Sequence, residues 1–106
     1  MSLMLPAIPY YAVIFTSVKT GIDTNGYSVM AEKMFELAAL QKGFLGVESA
    51  REEIGITVSY WKTEEDILNW KKVMEHLVAQ KLGIEKWYQY YTVRVCKVER
   101  QYSFEK

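Results

Sequence analysis

Residues 43–62, Gly-Phe-Leu-Gly-Val-Glu-Ser-Ala-Arg-Glu-Glu-Ile-Gly-Ile-Thr-Val-Ser-Tyr-Trp-Lys, decide the fold. Phe44 to Arg51 and Gly55 to Lys62 are short strand-like runs, and Glu52-Glu53-Ile54 between them is a spacing that suits an antiparallel hairpin. Upstream, Tyr10 to Val18 (YYAVIFTSV) follows Pro6 and Pro9, is rich in β-branched and aromatic residues, and ends at the turn residues Lys19-Thr20-Gly21. Asp23-Thr24-Asn25 then supplies capping residues. Tyr27, Met30, Ala31, Met34, Leu37 and Ala38 recur at helical spacing until Gly43 stops the run.

Downstream of the hairpin, Thr63 and Asp66 form a loose capping box, and Ile67, Trp70, Met74, Leu77 and Val78 mark one face of a second helix running to about Gln80. Lys81-Leu82-Gly83 breaks it, a short turn is expected around Ile84 to Trp87, and Tyr88 to Phe104 alternates like a long final strand. The order β-α-β-β-α-β is that of an α+β, ferredoxin-like split βαβ fold: a four-stranded antiparallel sheet with two helices on one face.

The chain of 106 residues is expected to form a single domain over 1–106. Residues 1–9 form an extended N-terminal segment whose first three, Met1-Ser2-Leu3, have the form of an expression remnant. Half the residues are hydrophobic and a quarter charged, the usage of a globular domain rather than a disordered one. Thirteen basic and thirteen acidic residues cancel, which leaves no strong field for nucleic acid or an anionic membrane. Leu3 to Val18 is interrupted by prolines and too short to span a bilayer as a helix. Cys96 has no partner for an intrachain disulfide, which favours a reducing, cytoplasmic setting.

In a one-sheet fold the helix-free face meets water, so its strands should alternate cleanly. Tyr11, Val13 and Phe15 point one way in the first strand while Ala12, Ile14 and Val18 point the other. In the last strand Tyr91, Val93 and Val95 oppose Tyr88, Tyr90 and Cys96. Both faces read as buried, so a homodimer paired through the helix-free sheet faces is expected, with the tail from Glu99 to Phe104 reaching toward the partner. The alternative is that the tyrosines are amphipathic edge residues with wet hydroxyls.

The segments Gln41 to Ser49 (QKGFLGVES) and Gly55 to Lys62 (GITVSYWK), followed by Ile67, Trp70 and His76, resemble the antibiotic biosynthesis monooxygenase domain, over roughly Tyr10 to Glu99. That resemblance implies a dimeric α/β barrel with a pocket between sheet and helices in each subunit. It also implies a cofactor-independent monooxygenase of a small aromatic or quinone-like substrate, although the family includes haem-degrading enzymes and members without an assigned substrate.

Oxygenation without metal or flavin needs a substrate that becomes an electron-rich anion, so the protein need only bind, deprotonate and shield it. His76, the only histidine, is the first candidate base, although it lies off the centre of the helical apolar stripe and a solvated position is the competing expectation. Trp61 and Trp70 are large enough to line a pocket, with indole N–H donors for a substrate oxygen, or else they are core anchors. Ser59 and Thr57 share the Trp61 face of their strand and would form a polar edge there. Tyr88, with Tyr90 and Tyr91, supplies phenol hydroxyls. Glu48 and Arg94 lie within strands and are expected to pair with each other or with Arg100 and Glu99.

One histidine, one cysteine and no phosphate-cradling glycine loop imply neither metal nor nucleotide, and no cofactor is expected. In the haem-degrading relatives a helix-two tryptophan precedes the ligand histidine by ten residues and an asparagine lies on strand one. Here Trp70 matches, but Gln80 stands at the ligand position and strand one has no asparagine. Haem is therefore the weaker enzyme alternative, and a non-catalytic dimeric binding or stress-related module is the other.

Overall fold

The computed structural model describes residues 5–80 and 86–106, the side chains of 77–80 excepted. The elements run β1 (Tyr10–Lys19), α1 (Thr24–Ala39), β2 (Phe44–Arg51), β3 (Gly55–Trp61), α2 (Glu64–Gln80) and β4 (Tyr88–Val98). They form the expected β-α-β-β-α-β ferredoxin-like α+β fold, with one antiparallel sheet in the order β2-β3-β1-β4. β1 is central: it pairs with β3 from Tyr11↔Trp61 to Ser17↔Gly55 and with β4 from Tyr10↔Val98 to Lys19↔Tyr88. The hairpin closes at Arg51↔Gly55, where three residues turn the chain as their spacing required.

Local chemistry sets the helix ends. Asp23, in the left-handed region at φ 52°, caps α1 by accepting from the Gly26 N–H at 3.2 Å. α1 stops at Ala39, four residues short of Gly43, and Gly43 takes the turn into β2 at φ 83°. A β-carbon at Gly43 would also collide with Asp66, so glycine is required twice over. Thr63 and Asp66 make the predicted reciprocal cap: the Asp66 N–H donates to Thr63 Oγ1 at 3.1 Å, and that hydroxyl donates to Asp66 Oδ2 at 2.8 Å. The predicted break at 81–83 and the first half of the turn expected at Ile84 to Trp87 lie outside the described residues. Among the described residues no helix is long and apolar enough to cross a membrane.

The register assigns every side chain a face. Tyr11, Val13, Phe15 and Ser17 of β1 share the helix face with Trp61, Ser59 and Thr57 of β3 and with Tyr91, Val93 and Val95 of β4. Two clusters fill the space beneath the helices. One joins Trp61, Trp70, Ile67 and Ala38; the other joins Met30 and Trp87; Leu37 of α1 packs against both.

Three expectations are corrected. β4 ends at Val98 rather than Phe104, and Gln101 ties the start of the tail to its own chain: it accepts from the Tyr10 hydroxyl at 2.6 Å and donates to the Pro6 carbonyl at 2.8 Å. A register shift between Val18 and Lys19 pairs Val18 with Tyr90 but Lys19 with Tyr88. The bulge turns Tyr88 onto the helix face, the same face as Tyr91 rather than the opposite one. Glu48 and Arg94 occupy one cross-strand row, but β3 and β1 lie between them, roughly 14 Å at the usual strand spacing. They cannot pair within the chain; Glu48 instead accepts from the Tyr60 hydroxyl at 2.6 Å.

Candidate functional site

The two ends of the helix face differ in construction. At the hairpin-distal end, Trp61 is 0% exposed and stacks on Trp70 of α2 with ring centroids 6.0 Å apart and planes at 25°. Phe44 meets the same indole edge-on at 5.5 Å. Trp61 Nε1 donates to Ser59 Oγ at 2.9 Å, so strand periodicity does place the serine beside the indole, two residues away on one face. That bond uses the donor a substrate oxygen would need. Thr57 donates to Ser49 Oγ of β2 at 3.3 Å and lies two residues beyond Ser59 along β3. Trp70 is buried with Ile67 against Ala38, which makes this end a packed anchor.

At the other end the helices leave the sheet uncovered. Tyr91, Val93 and Val95 of β4 lie on the helix face yet are 45%, 46% and 50% exposed, because α1 packs toward β2 and α2 toward β3. Phe15 stacks on Tyr91 at 5.5 Å with planes at 23° and meets Tyr88 edge-on at 5.4 Å. Tyr88 in turn meets Tyr27 of α1 at 5.6 Å, and Tyr27 touches the buried Trp87 at 6.4 Å. The result is an aromatic strip, half open to solvent, running from β4 to the start of α1.

Charge collects at the α1 end of this strip. Lys19 Nζ lies 4.3 Å and the Arg51 guanidinium 6.0 Å from the Tyr27 ring centroid. Arg51 reaches there because Gly55, its cross-strand partner, has no side chain: a β-carbon on Gly55 would overlap the guanidinium. Its Nη2 donates to the fully buried Ser17 Oγ, and Nη1 points to the Ser17 carbonyl at 3.5 Å. Burial, then the Tyr27 hydroxyl, holds the Tyr88 phenol far above its ordinary range, so Tyr88 stays protonated.

The strip is buttressed from behind. Trp87 Nε1 donates to Asp23 Oδ2 at 3.3 Å, Lys86 approaches the same carboxylate at 3.6 Å, and the Thr20 N–H donates to the Trp87 carbonyl at 2.9 Å. The Trp87 indole, with the Gly26 N–H, lowers the Asp23 carboxyl below its ordinary value. The α1 cap and the entry to β4 are thereby tied together.

Of the residues singled out from sequence, Trp61, Trp70 and Ser59 come together in the closed end, and Thr57 follows on the same strand face. Tyr88 belongs to the open strip, and His76 lies on the exposed flank of α2. Tyr91 joins Tyr88 on the strip, whereas Phe15, Tyr27, Lys19, Ser17 and Arg51 are not legible as site residues from the sequence. Alternation places Phe15, Ser17 and Lys19 on one face, but only the strand order brings Arg51 across Gly55 to them. A surface depression of about 340 Å³ opens elsewhere, beside Lys42, Gly43, Lys62, Thr63, Glu65 and Asp66, where the α2 cap already satisfies Asp66. Among the described residues no group of three or more His, Cys, Asp or Glu converges to hold a metal ion.

No family model matches the chain. The uncharacterized protein YqjZ of Bacillus subtilis (strain 168) is 54% identical over 102 residues, covering 94% of this chain and 89% of that protein. Among solved structures, a proposed antibiotic biosynthesis monooxygenase from Nitrosomonas europaea superposes with TM-score 0.65 at 15% identity, covering 94% of this chain and 97% of the other. SnoaB, a cofactor-independent oxygenase from Streptomyces nogalater, gives 0.63 at 14% identity, covering 92% and 99%. PA3566 from Pseudomonas aeruginosa gives 0.62 at 12% identity, covering 89% and 96%. At these identities the structural likeness establishes the fold.

Proposed function

We propose that this chain, which belongs to the same family as YqjZ and has the antibiotic biosynthesis monooxygenase fold, is a homodimeric, cofactor-independent monooxygenase of a small aromatic or quinone-like substrate. The carrying observation is the open aromatic strip, where Phe15, Tyr88 and Tyr91 offer stacking faces beside the half-exposed Val93 and Val95. A planar ring laid on this surface gains apolar and stacking contact. Trp61, Trp70, Ser59 and Thr57 support the strip from the closed end rather than touching the substrate.

The reaction follows from what the substrate brings. A phenol loses its proton and, as the phenolate, passes one electron to dioxygen; the two radicals join in a new carbon–oxygen bond. The hydroperoxide then expels water to leave a second carbonyl, so one phenol and one dioxygen yield one quinone and one water. The protein's part is to hold the ring and favour the anion.

Dimerisation rests on the helix-free face. There Ile56 and Tyr90 are exposed and Ile14, Val18 and Val58 only partly covered, a surface that a second sheet would bury. Such an interface would bury on the order of 2,000 Å² or more. The exposed Tyr102 and Phe104, beyond the Gln101 anchor, extend it toward the partner. Light scattering at micromolar concentration should give twice the chain mass, and a folded monomer would refute the pairing.

A second reading, a dimeric module that binds aromatic ligands without turning them over, is favoured by the position of His76 on the exposed α2 flank rather than on the strip. Oxygen-electrode assays with naphthols and hydroquinones, in the presence of a chelator, separate the two. Uptake of one dioxygen per quinone, unchanged in His76→Ala and lost in Tyr91→Ala, supports the oxygenase. Ligand binding without uptake above buffer across the panel establishes the module. Loss of uptake in His76→Ala would return the base to that histidine.

A further inference from the structure

We infer that the α1 end of the aromatic strip is an oxyanion site, so that the ligand is a planar aromatic carrying a carboxylate or phenolate oxygen received by Arg51 and Lys19. The inference rests on the aromatic-ligand reading above and adds the ligand's charge. Two cationic side chains converge on the ring of Tyr27, at 4.3 Å and 6.0 Å. Two like charges drawn to one ring are costly unless solvent or an anion offsets them. Among the described residues the ion pairs are Lys71 with Glu75 and Lys86 with Asp23, so neither Arg51 nor Lys19 has a carboxylate partner.

Arg51 is also built in place rather than free on the surface. Its guanidinium is half-buried and lies over Gly55, and Ser17, which has no exposed surface, holds it through its hydroxyl and points its carbonyl at it. A guanidinium fixed in this way loses little further entropy on receiving an anion and retains donors for a planar, forked contact. Its place beside Tyr27, which contacts Tyr88, sets the charge next to the aromatic strip, so an acidic aromatic would put its ring on Phe15 and Tyr91 and its oxyanion at Arg51.

In the oxygenase reading the same two cations stabilise the phenolate, and the phenol proton passes to solvent water at the open strip, so that no side-chain base is required. This accounts for a strip that contains a neutral tyrosine and no histidine. Lys19, nearer the ring and on a flexible stem, acts as a point charge, while Arg51 sets orientation.

The test is binding without turnover, so it does not depend on oxygenation. Titration of the native protein with 2-naphthoate and with its neutral isostere 2-naphthamide should give at least ~10-fold tighter binding of the carboxylate. Arg51→Gln should cut that preference to about 3-fold or less, the share left to Lys19, by weakening naphthoate more than naphthamide. A third arm measures the apparent pKa of bound 2-naphthol, which a phenolate site lowers in the native protein and not in Arg51→Gln. Preference for naphthoate or a lowered naphthol pKa, each dependent on Arg51, supports the site and identifies which oxyanion it takes.

Equal binding of naphthoate and naphthamide with an unmoved naphthol pKa overturns the inference, as does a preference left at its full native size in Arg51→Gln. If Arg51→Gln fails to fold, Lys19→Gln decides: a loss of at least ~3-fold in naphthoate preference supports the site, and no change overturns it. Failure of all three probes to bind would sink the aromatic strip itself. Selective binding without oxygen uptake would remove only the oxygenase.

Discussion

The closed end of the helix face and the open end use the same residue types for opposite purposes. Around Trp61 both indoles are buried and the Trp61 N–H is satisfied by Ser59, an arrangement that stabilises the fold and leaves neither indole open to a ligand. Around Tyr91 comparable rings pack on one another yet stay half exposed, and two cations stand beside them without carboxylate partners among the described residues. A tryptophan or tyrosine identity therefore says little about role; coverage by the helix layer and satisfaction of the polar atom say most.

The largest expected effect tests the closed end. Trp61→Ala should destabilise the fold by about 3–5 kcal/mol in urea unfolding, through lost burial and the cavity left under α2. A cost below about 1 kcal/mol would mean that this end is not the anchor. Gly55→Ala probes the junction of the sheet with the cationic site. The new methyl displaces the Arg51 guanidinium from Ser17, at about 1–2 kcal/mol, most of which should vanish in an Arg51→Ala background. Additive costs would show that the guanidinium is not what fills the glycine's space.

Tyr91→Ala sharpens the contrast from the other side. It should cost about 1 kcal/mol or less in stability, because the ring is half exposed, while weakening naphthoate binding by ~10-fold or more. A large stability loss would make the open strip a second core.

The smallest effect concerns the buttress. The Asp23 carboxyl is lowered below its ordinary value of 3.8, so its stabilising contribution is fully present above that pH and is lost as pH falls through the lower folded value. As pH falls below 3.8 the native protein should lose more stability than Asp23→Asn does, with the difference seen in thermal melts at each pH. Parallel losses would remove Asp23 from the link between α1 and Trp87.

Part of this molecule is written in local sequence. The hairpin around Glu52-Glu53-Ile54, the Thr63 and Asp66 cap, the apolar spacing from Tyr27 to Ala38 and the order of elements are each set by interactions within a few residues, and they suffice for the fold. The same patterns named Trp61 and Trp70 as large aromatics on the helix side, where both lie.

Other features depend on contacts between segments far apart in the chain. The bulge that turns Tyr88 onto the helix face arises where β1 meets β4, beyond the reach of simple alternation. Arg51 meets Ser17 only because β3 lies between β2 and β1 with a glycine at the crossing row, and β4 stays open only because the helices settle over β2 and β3. Periodicity determined which face each strand residue takes; the strand order and the placement of the helix layer decided which of those residues are covered and which cations share a ring, because burial and charge proximity are properties of the packed arrangement and not of any one segment.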